Sequence, residues 1–375
     1  MRILAVSLGV LLLAMSTLPS AAASREWIVF VGTYTRQASK GIYAYRLTSA
    51  DAKLTPLGLA VETSNPSFLA VHPNQRFLYA VNENDTGTIS AFAIDSRTWK
   101  LKLLNTVSSR GNGPCHLAFD TTGKWIFVAN YNNGSIAALP VATDGSLGEA
   151  AVSVQHSGSS IDARRQSGPH AHSVNISPDN RFLAVTDLGL DEVLIYRFDA
   201  KAGSLTPHDP PAIKTTPGSG PRHLAFGPDG RFAWVVNEMS ATVTALSYDR
   251  TLGKFTRAQD VSALPRDFGG TKSGAEILVH PNGKFLYTSN RGHDSIAIFK
   301  LEGGALSTPA TWVPSRGKAP RSFAIDPEGA LVVAANQGSN NLAVFRVDTK
   351  TGGLSPAGDV VEAPLPVSVV FVAGR

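Results

Sequence analysis

The stretch "GPHAHSVNISPDNRFLAVTDL", Gly168 to Leu188, holds two short alternating hydrophobic runs around a Pro-Asp-Asn turn. Alternation turns one side of each run toward a core, and Pro with Asp or Asn suits a tight turn. The stretch therefore reads as a β-hairpin, and His170 and His172 stand just ahead of or at its start. The same pattern recurs along the chain with other residues at those two places. "NPSFLAVHPNQRFLYAVNE" ends at Glu83, "GPCHLAFDTTGKWIFVANY" at Tyr131 and "GPRHLAFGPDGRFAWVVNE" at Glu238. "SGAEILVHPNGKFLYTSNR" ends at Arg291 and "APRSFAIDPEGALVVAANQ" at Gln337. Corresponding residues Pro66, Pro114, Ala171, Pro221, Gly274 and Pro320 are 48, 57, 50, 53 and 46 apart.

A third run follows each copy, as in "EVLIYRFD" and "SIAIFKLE", and a weaker fourth follows that, as in "GSLTPHD". Four strands in a repeat of this length describe one blade of a β-propeller. The chain ends supply a further copy. "LPVSVVFV" from Leu365 matches only a first strand, while "WIVFVGTY" from Trp27 and "GIYAYRLT" from Gly41 match a second and third. The C-terminal strand is thus expected to complete a blade begun near the N-terminus, closing the ring and removing its open edges. The expected fold is all-β: a seven-bladed propeller in one domain, residues 24–375.

Composition agrees with that frame. Of 375 residues, 43% are hydrophobic and 17% charged, and Gly (34) and Pro (23) suit many short strands joined by turns. The net charge of +5 is spread without basic blocks, so no nucleic-acid footprint is expected. Residues 1–23 read as a signal peptide: Arg2, the apolar run "ILAVSLGVLLLAM" and the small residues ending at Ala23. The run is too short to span a membrane comfortably, so a periplasmic or secreted protein without a membrane span is expected. Cys115 is the only cysteine, which excludes an intramolecular disulfide. Nothing in the sequence sets an oligomeric state.

In a propeller the first strand of each blade lines the central channel, and strands alternate in direction. The start of strand one and the end of strand two then share one face and ring one mouth of the channel. The starts are Ser67, Cys115, His172, Arg222, Ala275, Arg321 and Val367, followed by Phe68, His116, Ser173, His223, Glu276, Ser322 and Ser368. The ends are Thr33, Asn82, Asn130, Asp187, Asn237, Asn290 and Asn336, followed by Tyr34, Glu83, Tyr131, Leu188, Glu238, Arg291 and Gln337. The recurring Asn or Asp reads as backbone-bonding turn chemistry. His72 and His280, in "HPN" turns, read the same way. The ionisable residues that break the repeat carry more information, because fold maintenance does not demand them. They are His172, Arg222, His223, Glu238, Glu276, Arg291 and Arg321, and they either pair with one another or await a ligand.

"FVGTYT", "HAHSVNISPDNRFLAVTDLGLDEV", "GPRHLAFGPDGRFAWVVNE" and "NRGHDSIAIF" resemble the propeller lactonase family over about Trp27 to Val372. That family includes 6-phosphogluconolactonases of the cycloisomerase-2 type and 3-carboxy-cis,cis-muconate lactonising enzymes. The resemblance implies an active site of one histidine, two arginines and one glutamate. By motif these fall at His172, Arg222, Arg291 and Glu238, with His170 a second candidate for the histidine. It implies a small-molecule lactone or acidic sugar as substrate; of the residues placed around the mouth, His170, His223, Glu276, Arg321, Asp187 and Tyr131 are expected as further substrate contacts. An export signal sits poorly with a phosphorylated sugar lactone.

Hydrolysis needs an activated water and a home for the oxyanion. Glu238 or His172 is expected as general base, and Arg222 or Arg291 as oxyanion or carboxylate clamp. Cycloisomerisation would use the same set, with the arginines on carboxylates and His or Glu protonating carbon. A non-catalytic exported propeller that binds a small ligand or protein is the alternative from another class. No GxSxG motif supports an acyl-enzyme, and no His/Cys cluster has zinc spacing. Asp187, Glu238 and the Asn ring offer oxygen ligands for Ca²⁺ or Mg²⁺, but Arg291 beside them opposes a cation, so no metal or cofactor is expected. Intact-mass measurement of exported protein should find about 23 residues removed. A mature chain still beginning at Met1 would refute export by this route.

Overall fold

The computed structural model describes residues 25–308 and 310–374; the expected signal peptide lies outside them. Seven small antiparallel sheets share one pattern, and in six of them the innermost strand comes first in the chain. The hairpin of the opening stretch is representative: Ala171–Ile176 innermost, then Phe182–Asp187, Glu192–Asp199 and Ser204–Lys214. The sixth repeat departs slightly, since its outer strand is split into Ala305–Leu306 and Thr311–Pro314. Among the described residues the only helical turn is Gln337–Ser339, and no helix is long and apolar enough to cross a membrane.

The ring closes as the sequence predicts. Pro366–Ala373 is the innermost strand of the sheet whose other strands are Glu26–Thr33, Gly41–Thr48 and Lys53–Glu62. It pairs antiparallel with Glu26–Thr33, running from Trp27 opposite Ala373 to Thr33 opposite Pro366. The second strand, "EWIVFVGT", is a nearly unbroken apolar run because both its faces are covered. Trp27, Val29 and Val31 pack with Leu331, Val333 and Ala335 of the preceding blade. Ile28 and Phe30 pack with Leu78 and Ala80 of the following one. Period-two alternation thus feeds two separate cores, and the core of the molecule is a cycle of sheet-to-sheet layers.

Glycines in the outer hairpins fix the spacing between blades. Gly253 (φ +67°) and Gly352 (φ +77°) lie against the rings of Phe182 and Phe285, each at the start of the preceding blade's second strand. A Cβ at either place would collide with the ring, and positive φ strains any other residue. The "HPN" turns are also inter-blade joints. His72 Nδ1 accepts from the amide of Asn74 while its Nε2 donates to the carbonyl of Gly123, 3.0 Å away in the next blade. His280 does the same with Asn282 and Gly329 at 3.1 and 2.8 Å.

Removal of residues 365–375 deletes the closing strand and exposes the edge of Glu26–Thr33 together with two neighbouring cores. The truncated protein should melt well below the full chain and associate through the bared edge. A monomer with unchanged melting temperature by light scattering and calorimetry would contradict the closed ring.

Candidate active site

The innermost strands begin with a β-bulge in most blades. Ala171 pairs with Asp187 and Ser173 with Thr186, so His172 has no partner across the ladder. The same register shift leaves Cys115, Arg222, Arg321 and Val367 as the extra residue in their blades, and Ala275 with Glu276 in another. A bulge bends the strand and re-aims the unpaired side chain. That local device, repeated around the ring, delivers the chemically distinct residues to one mouth of the channel.

Glu238 sits at the centre of the mouth. Its Oε2 accepts from Arg222 Nε at 3.1 Å and Arg291 Nη2 at 2.8 Å, and its Oε1 accepts from Arg165 Nη2 at 2.7 Å. Burial opposes its charge, but Arg291, Arg222 and Arg165 outweigh that cost and bring its pKa down to about 2. It is a permanent anion at neutral pH. Burial lowers Arg291 to about 10 with Glu238 opposing, so it stays protonated. Arg165 also donates to the Tyr131 hydroxyl at 3.2 Å, and at 44% side-chain exposure it is the most open of the three guanidinium groups.

His172 Nε2 lies 3.9 Å from Glu238 Oε2, beyond a direct hydrogen bond. Its Nδ1 is 3.7 Å from the Cys115 sulfur, and the edge of its ring meets Tyr131 and His223 at centroid distances of 5.3 Å. Burial, then the charge of Arg222, hold His172 well below the usual histidine range. The imidazole is therefore neutral. Burial also pushes the Cys115 thiol up, so it stays protonated and unreactive.

A second wing of the mouth is built on Arg321. Its Nη2 donates to the Tyr34 hydroxyl at 2.9 Å, and its guanidinium lies 5.3 Å from the centre of the Tyr34 ring. Tyr34 donates in turn to the Glu83 carboxylate at 3.0 Å. Burial raises the Tyr34 pKa to about 12. Arg165, Arg222, Arg291 and Arg321 face Glu238 and Glu83, so the mouth carries more positive than negative charge. Anions are attracted there.

The sequence matches the family described as "Lactonase, 7-bladed beta-propeller" over residues 28–371. The chain belongs to the seven-bladed β-propeller lactonases. It is 36% identical over 350 residues to the 6-phosphogluconolactonase of Bacillus subtilis strain 168, covering 92% of this chain and 99% of that one. It is 36% identical over 335 residues to a 6-phosphogluconolactonase of Formosa agariphila, covering 87% and 94%. Among solved structures, the periplasmic gluconolactonase of Pseudomonas aeruginosa superimposes with a TM-score of 0.87 at 34% identity, covering 93% of this chain and 100% of that one.

In this lactonase the structure brings His172, Arg222, Glu238 and Arg291 together as one contacting cluster. His170 stands further out. It stacks on Tyr131 at 4.6 Å and its Nδ1 bonds the Tyr131 carbonyl at 2.8 Å, so it steadies that ring. His223 and Glu276 lie behind Arg222, paired at 2.7 Å and buried. Asp187 does not face the mouth. It is fully buried and accepts from His156 Nδ1 at 2.7 Å, from the His170 amide at 2.7 Å and from the Gly189 amide at 3.0 Å. Its Asn counterparts likewise bond backbone: Asn130, Asn290 and Asn336 donate to the carbonyls of Ser109, Ala263 and Ser315. Asp187 is turn and core chemistry, and no group of three or more His, Cys, Asp or Glu is placed to hold a metal among the described residues.

Arg165 is the mouth residue that the repeat comparison missed, because it lies in a loop between blades. Its signal was the 57-residue spacing from Pro114 to Ala171, the longest of the set.

The Glu238 ion pairs also set an acid sensitivity. The folded-state pKa of about 2 lies below the ordinary 4.5, so the stabilisation is complete above about pH 4.5 and is lost as pH falls toward 2. Its upper size is about 3 kcal/mol. Glu238→Gln should lose a comparable amount at pH 7, measured by urea unfolding, and its stability should fall less than that of the wild type between pH 5 and 3. Parallel stability–pH curves for the two proteins would show that the carboxylate is not held by these charges.

Proposed function

We propose that this chain hydrolyses a sugar lactone of the gluconolactone type at the mouth built around Glu238. The observation that carries the reading is a neutral, buried imidazole, His172, beside a carboxylate clamped by guanidinium groups. Glu238 and His172 were both candidate bases. With a pKa of about 2 and its oxygens held by arginines, Glu238 is a poor proton acceptor. It serves instead as the counter-ion that sets Arg222 and Arg291.

In the proposed sequence His172 takes a proton from water as the water oxygen bonds the lactone carbonyl carbon. The carbonyl electron pair moves to oxygen, and the resulting oxyanion is met by Arg222 and Arg291. Collapse restores the carbonyl and breaks the ring C–O bond, and the departing alkoxide takes the proton back from His172. The product is an aldonic acid, which ionises to the aldonate. Lactone and water are consumed, and no covalent enzyme intermediate forms.

The names of the relatives support lactone opening and do not favour the cycloisomerase or the non-catalytic alternative. The substrate follows from compartment. The signal-peptide reading and the periplasmic name of the Pseudomonas aeruginosa protein support export and an unphosphorylated lactone. The name of the Bacillus subtilis relative and the positive surplus of the mouth support the 6-phospho form as the second reading.

Initial rates by pH-stat on D-glucono-1,5-lactone and its 6-phosphate, corrected for spontaneous opening, test both. His172→Ala should lower turnover roughly 10²-fold or more, with an unchanged melting curve. The base must be unprotonated, so wild-type kcat/KM should fall on acidification with a midpoint below pH 6.5. Full activity in His172→Ala, or the same acid limb persisting in it, assigns the proton transfer elsewhere, and His170 becomes the next position to change.

A further inference from the structure

Arg222 is 3% exposed, and two of its three guanidinium nitrogens are engaged inside the protein. Nε donates to Glu238 Oε2 at 3.1 Å, and Nη1 donates to the Ala275 carbonyl at 2.8 Å and to His223 Nε2 at 3.1 Å. A guanidinium only donates, so His223 Nε2 must accept. The single proton of the His223 ring then sits on Nδ1 and is donated to Glu276 Oε1 at 2.7 Å. Glu276 is fixed in its turn: the Ile277 amide donates to Oε1 at 3.1 Å and the Ser322 hydroxyl to Oε2 at 3.4 Å. A continuous chain runs from carboxyl through neutral imidazole to guanidinium, from the strand Gly274–Val279 to the strand Pro221–Phe226.

This chain approaches Arg222 from the side away from the mouth. His223 and Glu276, with His116 and Phe68, line a cavity of about 590 Å³. The rest of its wall includes Val71, Asn175, Phe226, Val279 and Phe371, at the far ends of the innermost strands. His172, Glu238 and Arg291 are not part of that wall. The layer of His116, His223 and Glu276 therefore separates the mouth from the opposite half of the channel.

We infer that Glu276 and His223 are positioning residues for lactone opening: their hydrogen-bonded chain orients Arg222 from behind and leaves its Nη2 edge for the substrate oxygen. The inference rests on the proposed role of Arg222 toward the oxyanion. With Nε and Nη1 both fixed, the guanidinium plane cannot turn about its Cδ–Nε bond. Without His223, Nη1 keeps only the Ala275 carbonyl, and the guanidinium is held less firmly along that edge. Transition-state donors lose most of their effect when displaced by a fraction of an ångström, so the loss should fall on kcat rather than KM.

The test uses Arg222→Ala, His223→Ala, Glu276→Ala and Glu276→Gln in the full chain, assayed on D-glucono-1,5-lactone beside circular dichroism and melting curves. His223→Ala and Glu276→Ala should lower kcat roughly 10- to 100-fold, the scale for partners that orient a functional group, with little change in KM. Glu276→Gln keeps an acceptor for His223 Nδ1–H and should retain more activity than Glu276→Ala. Because the deleted side chains face the cavity, formate should restore kcat in Glu276→Ala and imidazole should restore it in His223→Ala, while neither stimulates Arg222→Ala. Wild-type kcat in His223→Ala, with Arg222→Ala inactive, overturns the positioning role alone. Full activity in Arg222→Ala overturns the reading of the mouth itself. Activity lost in step with melting temperature and never rescued overturns the inference in favour of plain structural support. If the alanine variants do not fold, His223→Phe, which keeps the ring and removes both nitrogens, decides: reduced kcat at unchanged KM upholds the chain, and wild-type kcat refutes it.

Discussion

The pairing of Pro366–Ala373 with Glu26–Thr33 is the constraint on which the remaining structure depends. Each blade buries one face against its predecessor and the other against its successor, so no blade has a complete core of its own. An open row of such sheets would end in two uncovered apolar faces and unpaired edges. Joining the two chain ends in one sheet removes those ends at once. It also fixes the radius of the ring, and with it the distance between Glu238 of one blade, Arg291 of the next and Arg165 from a loop on the other side.

Charge in the mouth follows from that distance. Buried carboxylate and guanidinium groups are costly apart and tolerable together, provided the hydrogen bonds are complete. Glu238 meets this condition with three arginine donors from three parts of the chain. Burial, and then the charge of Arg222, keeps His172 and His223 neutral beside it. The division of labour between a fixed anion and a neutral base is thus set by electrostatics and burial, with no need for any one residue to be unusual in kind.

The fold was legible because it repeats. Alternating hairpins, PDG-like turns and complementary ends are local signals, and each copy confirms the others. The site was legible only where it broke the repeat: His172 and Arg222 stood out against Ser, Cys, Ala and Val at the start of the first strand, and Glu238 and Arg291 against Tyr, Leu and Gln just after the second. Asp187 also differed from its Asn counterparts, yet its difference serves His156, a partner from the loop before the blade that the repeat frame cannot register. Arg165 lies in the same loop and was hidden for the same reason. His223 and Glu276 were recognised as ionisable, but which side of Arg222 they occupy depends on strand twist and bulge geometry, which residue type does not encode.

The bulge explains how a scaffold of near-identical blades carries an asymmetric site. A side chain on the regular ladder is held between two cores, and changing it disturbs packing on one side or the other. The bulged residue is outside the ladder: His172, Arg222, Arg321, Cys115 and Val367 occupy equivalent places yet range from imidazole and guanidinium to thiol and branched alkyl. Strand pairing on either side of them is the same whichever residue is present. Most blades therefore offer a position where chemistry can vary with little demand on the fold, and the closed ring points these positions at a common centre. Function in this molecule is written in the residues that the ladder skips and in those just past its ends, Glu238 and Arg291.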